Sequence, residues 1–158
     1  MTTTRTAEQQ AELHARITKL FNHQICFNEF LGFEIESLEP VPVKINFSMR
    51  PELVGHFLYG RLHGGVISSV LDVAGGLAIM MGIANYYANE NADEVLARFA
   101  NLATIDLRVD YLRQGIGTSF VASSNVIRLG KRVGVTHSSL YNNDGTLIAT
   151  GNASYIVS

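Results

Sequence analysis

Leu62-His63-Gly64-Gly65-Val66-Ile67-Ser68-Ser69-Val70-Leu71-Asp72-Val73-Ala74 is the stretch on which the reading of this chain turns. Two glycines open a run that is otherwise apolar and helix-like, and one carboxylate sits inside it. A helix start with free backbone N–H groups can hold a developing negative charge. A carboxylate in apolar surroundings can act as base or nucleophile. Together they point to attack on a carbonyl. The apolar run continues to Ala84, broken by Ser68, Ser69, Asp72, Gly75, Gly76 and Gly82. That pattern suits a buried core helix from about Gly65 to Ile83, not a membrane span. Glycines inside a helix each cost about 1 kcal/mol relative to alanine. Their presence predicts close approach by a strand or a partner helix.

Outside this helix the hydrophobic period changes. Leu13, Ile17, Leu20, Phe21, Ile25 and Phe27 recur at helical spacing and predict a helix over 7–30, with Gly32 at its end. Phe33 and Ile35 alternate with Glu34 and Glu36, a short strand. Pro40 and Pro42 punctuate. Val43, Ile45, Phe47 and Met49 alternate with polar residues, a second strand. Arg50–Leu62 reads as loop, and 85–101 as a polar insertion with a short helix near Asp93–Phe99. Period two then dominates. Strands are predicted around Ile105–Tyr111, Thr118–Leu129, Arg132–Tyr141 and Thr146–Val157, with Asn143-Asp144-Gly145 as a hairpin turn. One apolar helix among six strands predicts an α+β fold, an antiparallel meander wrapped around that helix. The alternative is a plain α+β sandwich with the helix on one face.

Composition narrows the class. The 158 residues suffice for a single domain over 1–158, with 1–30 as an N-terminal helical extension. A net charge of -2 gives no electrostatic case for nucleic acid as partner. Cys26 is the only cysteine, which excludes an intrachain disulfide and fits a reducing, cytoplasmic compartment. The polar stretch Met1–Gln10 is unlike a signal peptide.

The order of elements, with His63-Gly64-Gly65 and an acid nine positions after the histidine, resembles the hotdog-fold acyl-CoA thioesterases. The similarity is to the branch holding the phenylacetate-pathway and 4-hydroxybenzoyl-CoA enzymes, and it runs from about Phe33 to Val157. Thr104–Arg113, Arg128-Leu129-Gly130-Lys131-Arg132 and Asp144–Ala149 look like that family's later strands and hairpins. The resemblance implies an antiparallel sheet of about six strands around one long central helix, with an extra N-terminal helix here. It implies Asp72 as general base or nucleophile and the Gly64 N–H as the group polarising the thioester carbonyl. It also implies His63 at the helix start, with no cofactor and no metal. Substrate contacts would come from His56, Phe57, Gly65 and Ser68, and from Arg128, Lys131 and Arg132 against coenzyme A phosphates. Two positions depart from the family. Phe57 stands where Asn or Gln usually helps place the thioester or water, and Gly76 stands where many members carry Ser or Thr. His56 and Ser68 are the nearest polar substitutes.

Gly64 and Asp72 are eight residues apart. On one straight helix that is about 12 Å, too far for both to serve one carbonyl. Two antiparallel helices related by a two-fold axis would bring Gly64 of one copy beside Asp72 of the other. A homodimer with shared active sites, or a dimer of dimers, follows. Other chemistries fit less well. Cys26 sits among apolar helix residues and reads as core. Ser68 and Ser69 lack a Gly-x-Ser-x-Gly elbow. His56 and His63 have no suitable third metal ligand. The expected activity is hydrolysis of a medium- or long-chain acyl-CoA, as the apolar content of the 7–30 helix and the 85–101 insertion would cover an acyl tunnel. The rivals are a non-catalytic acyl-CoA sensor on the same fold, and an acyl carrier protein thioesterase.

Overall fold

The structure, a computed structural model, describes residues 4–39 and 41–157; Met1–Thr3, Pro40 and Ser158 lie outside the described residues. The chain opens with helix α1 (Ala7–Lys19), one wider turn at Leu20–Gln24 and helix α2 (Cys26–Leu31). Strands β1 (Glu34–Ser37), β2 (Val43–Ser48), β3 (Val54–His56) and β4 (Arg61–Leu62) lead into the long helix α3 (Gly64–Tyr86). Helix α4 (Ala92–Arg98) follows, then β5 (Ala103–Tyr111), β6 (Ser119–Leu129), β7 (Val133–Asn142) and β8 (Leu147–Ile156).

Six strands form one antiparallel sheet in the order β1-β2-β6-β7-β8-β5, and β3 and β4 pair separately. The sheet packs on α3 through β2, β5, β6, β7 and β8. This is the hotdog arrangement expected from the sequence. Alternation explains the strands: in β7 every second residue from Gly134 to Leu140 is buried. The buried hydroxyl of Ser138 donates to Ser124 Oγ at 2.8 Å and lies 3.4 Å from the Leu71 carbonyl oxygen, where the two layers meet. Helix α3 is apolar on nearly every face because the sheet takes one side and the N-terminal segment and α4 take part of the other. Its apolar window is long enough to cross a membrane, yet 67% of it is buried inside the molecule. Leu71, Leu77 and Ile79 are fully buried there, and cutting one back to alanine would cost about 2–5 kcal/mol.

Four details differ from the sequence reading. The 7–30 helix is broken at Ile25, whose backbone is extended, after the wide turn through Asn22, His23 and Gln24. Asn22 and His23 are weak helix formers, and the Asn22 side chain instead accepts from the Ile35 N–H at 3.0 Å, tying the break to β1. Cys26, expected in the core, is exposed. The phase of the six-residue α2 is set by Asn28 and Leu31 turning inward, which leaves Cys26, Phe27 and Phe30 outward. The 50–62 loop contains the small β3–β4 pair, too short to show a period. The four last strands are not a simple meander, because β2 occupies the free edge of β6 and β5 therefore adds to β8.

The N-terminal segment is fastened at its far end too. Arg5 Nη1 donates to the Tyr87 and Glu90 carbonyls at 2.8 and 2.9 Å, and Nη2 donates to the Ala84 carbonyl. A cation thus satisfies carbonyls at the C-terminus of α3, where the helix dipole favours it.

Candidate active site on the central helix

The start of α3 is built by its neighbours. His63 is the N-cap, with φ -65° and ψ 138°, and its Nδ1 accepts from the Gly65 N–H at 2.9 Å. A neutral ring used this way carries its proton on Nε2. The His63 N–H donates to the Leu53 carbonyl at 2.8 Å. That close passage needs Gly55, since a Cβ there would lie 2.4 Å from His63 Cα. Tyr111, at the end of β5, donates its hydroxyl to the Gly64 carbonyl at 3.0 Å. The N–H groups of Val66 and Ile67 both go to the His63 carbonyl, so among the described residues the Gly64 N–H is left over at the first helical position.

Two turns on, Asp72 is half-buried and held by two side chains that the sequence reading did not assign. Thr104 on β5 donates to Asp72 Oδ1 at 2.9 Å. Tyr155 on β8 donates to the Asp72 carbonyl at 2.8 Å and reaches Oδ1 at 3.3 Å. Burial holds the Tyr155 hydroxyl well above the usual phenol range, and the adjacent Asp72 charge adds to that. It is therefore a neutral donor throughout ordinary pH. Gly75 makes room for it: a Cβ there would meet Tyr155 Oη at 2.2 Å and Thr136 Oγ1 at 2.8 Å. This is the close approach by strands that the helix glycines announced. Gly75 was the available signal for Tyr155. Thr104 had none beyond its place in an alternating strand.

A cavity of about 320 Å³ opens beside the carboxylate. Asp72, Val73, Gly76 and Met80 of α3 form one wall, and Leu20, Phe21, Ile25, Phe27 and Asn28 face them. Phe99, Leu102, Ala103, Thr104 and Tyr155 close the rest. A second cavity, of about 350 Å³, lies at the helix start against Phe27, Glu52, His63, Gly65 and Ser69.

The other sequence candidates are dispersed. Ser68 Oγ donates to the Gly65 carbonyl at 3.0 Å, within its own helix. His56 stacks between Phe57 and Tyr59 with ring centroids 5.6 and 4.9 Å away. Phe57 is 86% exposed at the tip joining β3 to β4. Arg128 and Lys131 line a larger cavity of about 800 Å³ at the far end of α3, together with Tyr86, Tyr87, Arg98 and Leu129. Arg98 pairs with Glu90 there and stacks over Tyr87 at 3.5 Å. Arg132 is exposed in the turn between β6 and β7. Among the described residues no three His, Cys, Asp or Glu side chains converge as metal ligands would.

Known proteins share this architecture. Residues 59–149 match the thioesterase superfamily. The medium/long-chain acyl-CoA thioesterase YigI of Salmonella typhimurium is 40% identical over 152 residues, covering 96% of each chain. YigI of Escherichia coli strain K12 is 39% identical over the same length. A crystal structure from Shewanella oneidensis, described as related to the thioesterase superfamily, superposes with a TM-score of 0.87 at 39% identity. It covers 94% of this chain and 97% of its own. A solved chain from Syntrophus aciditrophicus gives 0.84 at 36% identity, covering 96% and 100%. The chain belongs to the thioesterase superfamily, and its reaction class is thioester hydrolysis.

Proposed function

We propose that this thioesterase-superfamily chain hydrolyses a medium- or long-chain acyl-CoA, with Asp72 as general base and the Gly64 N–H as the donor to the thioester oxygen. The observation that carries this reading is the 320 Å³ cavity, apolar over most of its wall, with the Asp72 carboxylate at its side. An acyl chain lying against Met80, Phe21, Phe27, Phe99 and Leu102 places its carbonyl end near Asp72. The names of the YigI relatives agree with an acyl chain of that class. Thr104 and Tyr155 both engage Oδ1, which leaves Oδ2 free to take a proton from water.

The site is completed by a second copy. Gly64 and Asp72 stand on one unbroken helix, about 12 Å apart, so each needs its counterpart from a partner. Strand β5 supports such pairing. It is the sheet edge, its residues Ala103–Asp106 are exposed, and Ile105 and Tyr111 present 57% and 54% of their surface. In this reading 1–158 acts as one thioesterase domain, cytoplasmic, with 1–30 as a wall of the acyl cavity. Coenzyme A phosphates meet Arg128 and Lys131 in the basic cavity at the end of α3.

The decisive experiment is Asp72→Asn, which keeps shape and removes the base. Free thiol release from a panel of acyl-CoAs should fall at least about a hundredfold with the melting temperature retained. Hydrolysis near the wild-type rate would end the assignment. Uptake of acyl-CoA with no thiol release by the wild type would favour the binding-module reading.

A further inference from the structure

Thr104 holds the carboxylate of Asp72 from a place that its strand would not ordinarily give it. In β5, Leu107, Val109 and Tyr111 stand opposite Ala153, Gly151 and Ala149 of β8, all three buried, and so face α3. Strict alternation back from Leu107 would put Ile105 next on that face and Thr104 on the other. The observed register differs. Asp106 pairs with Ser154 and Thr104 with Tyr155, so β5 advances two residues where β8 advances one. Ile105 is the extra residue of a β-bulge, and pairing resumes beyond it at Thr104 and Ala103. Thr104 therefore shares the inner face with the buried Tyr155, and its hydroxyl donates to Asp72 Oδ1 at 2.9 Å.

Stability does not call for this arrangement. A regular register would turn Ile105 inward and Thr104 outward, the usual order for the two residue types. Instead Ile105 presents 57% of its surface. Strand β5 is the edge of the sheet, so no further strand of this chain imposes the bulge. A second copy paired on β5 would cover Ile105, yet it would not require a hydroxyl on the inner face. What the bulge secures is a donor for the carboxylate. Tyr155 has a single proton, whose nearer acceptor is the Asp72 carbonyl at 2.8 Å, against 3.3 Å to Oδ1. Thr104 is thus the principal donor to Oδ1. Local rules broken at a cost in stability mark functional sites.

We infer that Thr104 is a positioning residue for the hydrolysis, set in place by the bulge at Ile105: it holds Asp72 Oδ1 so that Oδ2 is aimed at the attacking water. This rests on Asp72 being the base. Without the Thr104 hydroxyl the carboxylate turns about its Cβ–Cγ bond, and the base is aimed for only part of the time. Rate is then lost although substrate binds as before.

The test is a double-mutant cycle between Thr104→Val and Asp72→Asn, read as free thiol release from a medium-chain acyl-CoA. Valine keeps the shape and removes the donor. Alone, Thr104→Val should lower kcat about tenfold, with KM within about twofold and the melting temperature retained. Thr104→Ser, which keeps the hydroxyl, should return kcat to within about threefold of wild type. In the Asp72→Asn background there is no carboxylate base to aim, so Thr104→Val should change the residual rate by less than about twofold. A merely structural threonine would cost the same factor in both backgrounds. Should the valine variant fold poorly, Thr104→Ala carries the same comparison. An unchanged kcat, a loss confined to KM, a serine variant no better than valine, or equal losses in both backgrounds would each overturn the inference. Asp72→Asn hydrolysing near the wild-type rate is a distinct result, which would reject the base assignment itself.

Discussion

If each active site takes Gly64 from one copy and Asp72 from another, two dead variants should revive one another. The variant that removes the donor is Gly64→Pro, because proline lacks the backbone N–H. The structure tolerates it. Gly64 is the first helical position, where proline fits, and His63 before it has the extended backbone that a following proline requires. A Cβ at Gly64 would lie 3.5 Å from the Tyr111 ring, an ordinary contact. Losing one such donor costs about 10²–10³ in rate, and Asp72→Asn at least about 10². Each homodimer alone should therefore show about 1% of wild-type activity or less. After free exchange of equal amounts, half of the dimers are mixed. Each mixed dimer holds one intact site and one doubly damaged site, so activity should recover to roughly a quarter of wild type. The assay is thiol release before and after exchange, with mixed dimers counted by two affinity tags. Proven mixed dimers with no recovery would refute the 12 Å argument and place the whole site within one chain.

Three further outcomes are expected. Arg128→Ala or Lys131→Ala should raise KM for acyl-CoA several-fold and leave a short acyl thioester without the nucleotide unaffected; steady-state kinetics on both substrates checks this. Phe99→Ala or Phe27→Ala should move the optimum toward longer chains. Each extra methylene housed is worth about 0.8 kcal/mol, roughly fourfold in kcat/KM across an acyl-CoA series. Tyr155 is held neutral in the fold above its ordinary value of 10.0, so its contribution is present below about pH 10 and lost as the unfolded chain ionises above it. Thermal melts should show wild type losing stability between pH 10 and 11 more steeply than Tyr155→Phe.

Periodicity made most of the scaffold legible. The apolar run after His63 marked α3, and alternation marked β2 and β5 through β8, because burial of one face imposes that spacing. Strands of two or three residues, such as β3 and β4, carry no period and were hidden. The pairing of β5 with β8 was also hidden, since alternation tells which face of a strand is buried and not which neighbour it has. Within the candidate site, Asp72 and Gly64 stood out by their setting in one short motif. Thr104, Tyr155 and Asn28 did not, because each meets the cavity from a separate element. Their places at the cavity come from packing across 32, 83 and 44 positions of sequence relative to Asp72. Gly75 was the exception, recording that packing as a missing side chain.

The N-terminal segment that walls the cavity is tied down at two points, by Arg5 on the carbonyls at the end of α3 and by Asn22 on β1. A wall so anchored works as a gauge and not as a gate. On the proposed acyl-CoA reading, substrate would slide in along the cavity axis, and chain length would be judged by a fixed stop and not by how readily a flap shuts. Selectivity would then be a trait carried by a stretch of polypeptide apart from the motif helix. Exchanging 7–31 between relatives should therefore transplant the length preference while the hydrolytic step stays where it was.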